Sequence, residues 1–88
     1  MVIATSATDA MAAQDCCLAA QNLMLAAYSR GLGSCWIGFS EAWLALPEAK
    51  RELELPSEYL AVAPIILGYP RHTAQPVPRE PARIQWLS

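Results

Sequence analysis

Charge is scarce in this 88-residue sequence: 16 % of its residues are Asp, Glu, Lys or Arg, where soluble domains carry about 25 %. The six basic residues are scattered and the formal net charge is −2, so the electrostatic footprint of a nucleic-acid binder is missing. Histidine occurs once, as His72 in a proline-rich stretch. One imidazole with no second histidine and no cysteine cluster beside it makes no metal-ligand set. A Ser–His or Cys–His nucleophilic pair would have to recruit that same ring, and the nucleophile-elbow pattern G-x-S-x-G does not occur. Gly31-Leu32-Gly33 is no phosphate loop, because the P-loop lysine and the third Rossmann glycine are both lacking. The three cysteines, Cys16, Cys17 and Cys35, are odd in number and lack C-x-x-C spacing. They exclude a disulfide framework and read as buried, reduced, structural thiols of a cytoplasmic protein. The longest apolar run, CCLAAQNLMLAAY, is interrupted by Gln21 and Asn22 and falls short of the ~20 residues of a membrane span. Residues 1–10 lack the basic start of a signal peptide. Side chains alone therefore supply no catalytic machinery, and if the chain works in an enzyme, a cofactor carries the chemistry.

What the sequence has in abundance is apolar surface. Hydrophobic residues make up 55 % of the chain, while a domain this small buries only about 60 % of its unfolded surface. A partner is expected, either a second copy or further protein. The run from residue 9 to 30 holds Ala, Leu, Met and Gln without Pro, Gly or a β-branched residue, and predicts a helix. Asp9 or Thr8 is placed to cap its start and Gly31 to end it. Met11, Cys16, Leu18, Leu23, Leu25 and Tyr28 distribute apolar surface over nearly every side, the pattern of a helix buried all round. Too little chain remains to wrap a helix ~30 Å long, so the cover is expected from outside.

Residues 1–8 read as the end of a strand followed by a loop, and residues 34–39, SCWIGF, as a short strand or extended loop. Residues 41–53 predict a short amphipathic helix, with Pro47 opening its second part and Trp43, Leu44, Leu46, Leu53 and Leu55 facing inward. YLAVAPIILGYP contains the best strand, about 60–68, with the pattern of one covered on both faces. Pro64 relegates its early part to an edge or an irregular stretch. The tail 69–88 carries four of the seven prolines and ends in IQWL, an apolar patch that requires a docking place.

In order, AAQDCCLAAQNLMLAAYSRGLGSCWIGF, the leucine-rich segment with LELP, VAPIILGYP and VPREP resemble the C-terminal half of the FMN-dependent nitroreductase family. The resemblance covers nearly everything from Ala10 onward. It implies an α+β fold, a long buried helix with a mixed β-sheet, of which residues 1–88 form the incomplete C-terminal part. It implies an intertwined homodimer with FMN at the interface, NAD(P)H as hydride donor, and nitroaromatics, quinones or similar acceptors. It also implies site residues: Cys35, Trp36, Ile37 and Gly38 along the flavin edge, and Arg79 of the R-x-P motif on the FMN phosphate. Plain roles compete for two of these, core packing for Trp36 and a solvated tail for Arg79. The family's Arg-rich N-terminal motif has no counterpart here, and the ring-edge glutamate of many members is replaced by Gly38 and Phe39. The chain therefore reads as the C-terminal part of a flavin reductase needing its other half, or as a non-enzymatic dimerisation module that binds no flavin.

Overall fold

The computed structural model describes residues 1–6 and 8–88. Strand β1 (Val2–Thr5) leads into helix α1 (Ala10–Ser29), strand β2 (Gly33–Trp36) and a 3-10 turn (Gly38–Ser40). Two short helices, α2 (Glu41–Leu44) and α3 (Pro47–Glu52), precede strand β3 (Leu60–Gly68). The sheet order is β1-β3-β2 and both pairings are antiparallel. The resemblance implied a mixed sheet; among the described residues no parallel pair forms, because β3 inserts between the two strands that run in the same direction. β1, α1 and β2 thus make a β-α-β unit split by an antiparallel third strand.

Helix α1 begins and ends where short-range chemistry directs. The Asp9 carboxylate accepts a hydrogen bond from the Ala12 N–H at 2.9 Å, satisfying one of the four orphan donors of the first turn. At the other end Gly31 adopts φ +76°. Its N–H donates to the Tyr28 carbonyl at 3.0 Å and that of Leu32 to Ala27 at 2.9 Å, the paired bonds of a Schellman turn.

One side of α1 packs on the sheet. Ala20 and Ala63 are both 0 % exposed and Ile65 is 2 % exposed, with Ile3, Leu23, Met24 and Trp36 packed around them. Two alanines face to face let helix and strand approach closely. The opposite side is bare: Met11, Leu18 and Leu25, seven residues apart, are exposed, as is Tyr28. The described residues of the single chain thus cover one face of α1, and the other is left to the cover expected from outside the chain.

The 41–53 segment is two helices rather than one. Leu46 precedes Pro47 and takes the extended conformation (φ −75°, ψ 143°), since the proline ring disfavours a helical residue before it. The break redirects the side chains: Leu44 and Ala49 are buried, whereas Trp43, Leu46 and Leu53, expected inside, stay exposed.

Pro64 lies in the central strand of the β1-β3-β2 order, but the part of β3 before it, residues 60–63, pairs with β1 alone and carries a bulge, in line with the edge or irregular stretch expected there. Met1 and Ile65 exchange backbone bonds (2.8 and 2.9 Å), so the neighbouring Val2–Pro64 pair needs none from β1. On the other side the Pro64 carbonyl accepts the Ile37 N–H at 2.9 Å, and there the β2 ladder ends. The proline ring offers no donor in return, and the Ile37 carbonyl accepts from Ser40 instead. A bulge between Ile3 and Ala4 leaves Val62 unpaired against β1.

Candidate functional site

Helix α1 and its Schellman turn deliver the chain to β2 at Gly33, which pairs with Gly68 of β3. From there Cys35, Trp36, Ile37 and Gly38 follow as a continuous rim of the sheet. Their roles differ. Cys35 pairs with Ile66 and lies on the face away from α1. Like Cys17 it is exposed, which corrects the expectation of buried thiols for all but Cys16. Its Sγ lies 3.6 Å from the Trp36 carbonyl oxygen. Trp36 pairs with Ile65 and packs beside the core cluster, so its side chain serves packing. Ile37 is committed internally: its N–H donates to Pro64 at 2.9 Å, and its carbonyl accepts from the Ser40 hydroxyl at 2.7 Å and the Ser40 N–H at 3.3 Å.

Backbone alternation then decides what the rim can offer. Because Ile37 points its N–H at β3, Trp36 turns its N–H and carbonyl the other way, out from the open edge of β2. The main chain of Trp36 is therefore presented at that edge, with the Cys35 thiol beside it. Gly38 is exposed and a Cβ built on it meets nothing within 4 Å. Space for a ligand is open at that point, although the glycine itself is not sterically required.

Arg79 lies in the exposed tail, with no hydrogen bond or ion pair to any described residue. The structure thus brings together residues 35–38 and leaves Arg79 outside their bonded network. No group of three His, Cys, Asp or Glu gathers as a metal set among the described residues, and no helix among them is long and apolar enough to cross a membrane.

A feature that residue patterns did not reveal lies behind the rim. On the sheet face away from α1, a cavity of about 260 Å³ is lined by Ile37, Trp43, Leu53, Pro64 and Ile66 among others. Its signal was present in the alternation of β3, which sends Ala63 and Ile65 to α1 and Pro64 and Ile66 to the opposite side. What hid it was the break at Leu46, which leaves Trp43 and Leu53 half-covering that face.

A split β-α-β layer with its rim at the end of a glycine-terminated helix defines an α+β half-layer whose outer helix face and second sheet face lack full cover. The profile of the Nitroreductase family matches residues 2–69, most of the chain, and the protein belongs to that family. Membership assigns a flavin-oxidoreductase type of function at the level of the family. The match stops at Tyr69, so the tail with Arg79 lies outside it. Comparison with curated proteins gives no match.

Proposed function

We propose that this chain is the C-terminal part of a cytoplasmic, FMN-dependent NAD(P)H oxidoreductase, acting as a homodimer or with a separate N-terminal half. The observation that carries the reading is the family match over residues 2–69, which includes the whole β2 rim. A bound flavin would supply the redox chemistry, hydride transfer from NAD(P)H to a nitroaromatic, quinone or similar acceptor. The chain's own part is binding and orientation. The outward main chain of Trp36 and the Cys35 thiol would meet the ring edge, Ile37 would hold the rim on β3, and Gly38 would leave space. Arg79 would hold the phosphate, for which a guanidinium offers a planar, two-donor fork.

A second reading is a dimerisation module that binds no flavin. It is favoured by two observations, that Arg79 has no bond to any other described residue and that it stands outside the family match. Titration of FMN with the purified protein, followed by flavin fluorescence, separates the two. Saturable quenching in the micromolar range supports the flavoprotein; an unquenched signal at several hundred micromolar leaves the module. Arg79→Ala is expected to weaken FMN binding by roughly tenfold or more, since a hydrogen bond to a charged group contributes about 1.5–3 kcal/mol. Unchanged affinity would remove the phosphate role.

A further inference from the structure

Two openings lie beside the start of β3, away from the rim. The first, about 370 Å³, has Leu44, Ala45, Leu60 and Val62 in its apolar lining and Glu41 as its one acid. The second, also about 370 Å³, lies against α3 and the turn after it, with Lys50, Arg51, Leu55 and Ser57 in its lining. Ala45 and Lys50 belong to both, so the two adjoin. Each is of a size that holds small organic ligands, ~300–1,000 Å³. No residue of 35–38 lines either one.

Charge is sorted between them. Residues 41–58 hold five glutamates against two basic residues, Lys50 and Arg51. Both basic residues line the second opening and none of the glutamates does. The Lys50 Nζ donates to the Ser57 carbonyl at 3.0 Å, which leaves two of its three donors uncommitted. Arg51 makes no side-chain bond to any described residue. The joined space is apolar at one end and cationic at the other.

The backbone is irregular in both walls. The bulge opposite Ile3 and Ala4 takes Val62 out of the ladder with β1, and Val62 lines the first opening; bulges re-aim side chains in this way. Glu54 adopts φ +55°, a left-handed conformation disfavoured for a residue with a Cβ and usually given to glycine after a helix. Its N–H donates to the Arg51 carbonyl at 3.1 Å and that of Leu55 to Lys50 at 2.8 Å, which turns the chain back to place Leu55 in the second lining. Backbone held against its preference clusters at ligand sites.

We propose that the joined openings bind a small amphipathic monocarboxylate, with its anionic end on Lys50 and Arg51 and its apolar body along Leu44, Leu60 and Val62. An ammonium and a guanidinium give a carboxylate charge-assisted hydrogen bonds that an alcohol of the same length does not receive. Glu41 at the apolar end disfavours a second anionic group there, so a dicarboxylate is discriminated against. The site is separate from the rim, and the inference does not rest on the flavin reading.

Titration of the full chain with octanoate, 1-octanol and suberate, followed by amide chemical shifts in NMR spectra, tests it. Octanoate is expected to bind roughly fivefold or more tightly than either of the others, the scale of one charge-assisted bond. Its largest shifts fall at Ala45, Lys50 and Ser57, while the amides of 35–38, which FMN would move, stay in place. Failure of this site and failure of the flavin reading are therefore distinguishable. Arg51→Gln, at an exposed position, weakens octanoate at least threefold and leaves octanol within twofold. Ala45→Trp, also exposed and shared by both openings, weakens both ligands at least tenfold. Circular dichroism checks that each variant folds. Octanol or suberate binding as tightly as octanoate overturns the proposal, as does an unchanged octanoate affinity in Arg51→Gln. Shifts gathered instead at Met11, Leu18 and Leu25 on the bare side of α1, or none that saturate at about 2 mM octanoate, overturn it too.

Discussion

Two residues fix the ends of α1, and both act through the backbone. Gly31 sits at φ +76° with nothing within 4 Å of a hypothetical Cβ, so the cost of a side chain there is conformational and not steric crowding. Gly31→Ala is expected to destabilise the protein by about 1 kcal/mol, the penalty of a left-handed L-residue, read as a lower denaturant midpoint at unchanged m-value. Asp9→Ala removes the side-chain acceptor bonded to the Ala12 N–H in the first turn and is expected to cost about 1 kcal/mol as well. If Asn at position 9 restores the midpoint, the effect belongs to the cap bond and not to the charge. These positions were legible in the sequence, because capping depends on neighbours a few residues away. Trp36 was only half legible. Its side chain packs and its main chain faces outward, and that division follows from a bond between Ile37 and Pro64, 27 residues apart, which no local pattern encodes.

At the scale of elements, local and long-range signals part company. Helix α1 and strand β3 lie in the runs from which helix propensity and a continuous apolar pattern predicted them. Pro64 was legible as well: pairing with β2 stops at Ile65, and the part of β3 before the proline pairs with β1 alone and carries a bulge. The 41–53 segment misled, because the residue before Pro47 obeyed its local rule and broke a helix that the leucine pattern joined. The contact of α1 with β3 depends on size. Ala20 and Ala63, both fully buried, set the distance between helix and strand. Ala20→Leu would force them apart and is expected to cost about 1–3 kcal/mol, with Ala20→Gly nearer 1 kcal/mol through helix propensity. Urea unfolding of the two variants ranks them; a leucine tolerated without loss would show that the helix is not seated on Ala63.

The whole molecule is too apolar for its own volume, and the excess is arranged rather than scattered. Met11, Leu18 and Leu25 recur every seven residues on the solvent side of α1, the spacing that keeps a stripe on one face of a helix over several turns. The sequence announced this surplus by composition but could not say which face of α1 the sheet would take, since both faces are apolar. The structure gives the sheet the alanine-rich face with Ala12, Cys16, Ala20 and Ala27 and leaves the bulkier side chains outward. A homodimer held by that stripe buries Leu18 in each copy. Leu18→Glu removes about 1.5–3 kcal/mol of burial per side chain and introduces two unpaired carboxylates into the interface, so the dimer Kd is expected to rise a hundredfold or more. Because Leu18 is 68 % exposed in the single chain, the far-ultraviolet circular dichroism and the intrinsic fold should be unaffected. A Leu18→Glu protein that sediments with the parent's dimer constant would show that the α1 stripe faces something other than a second copy.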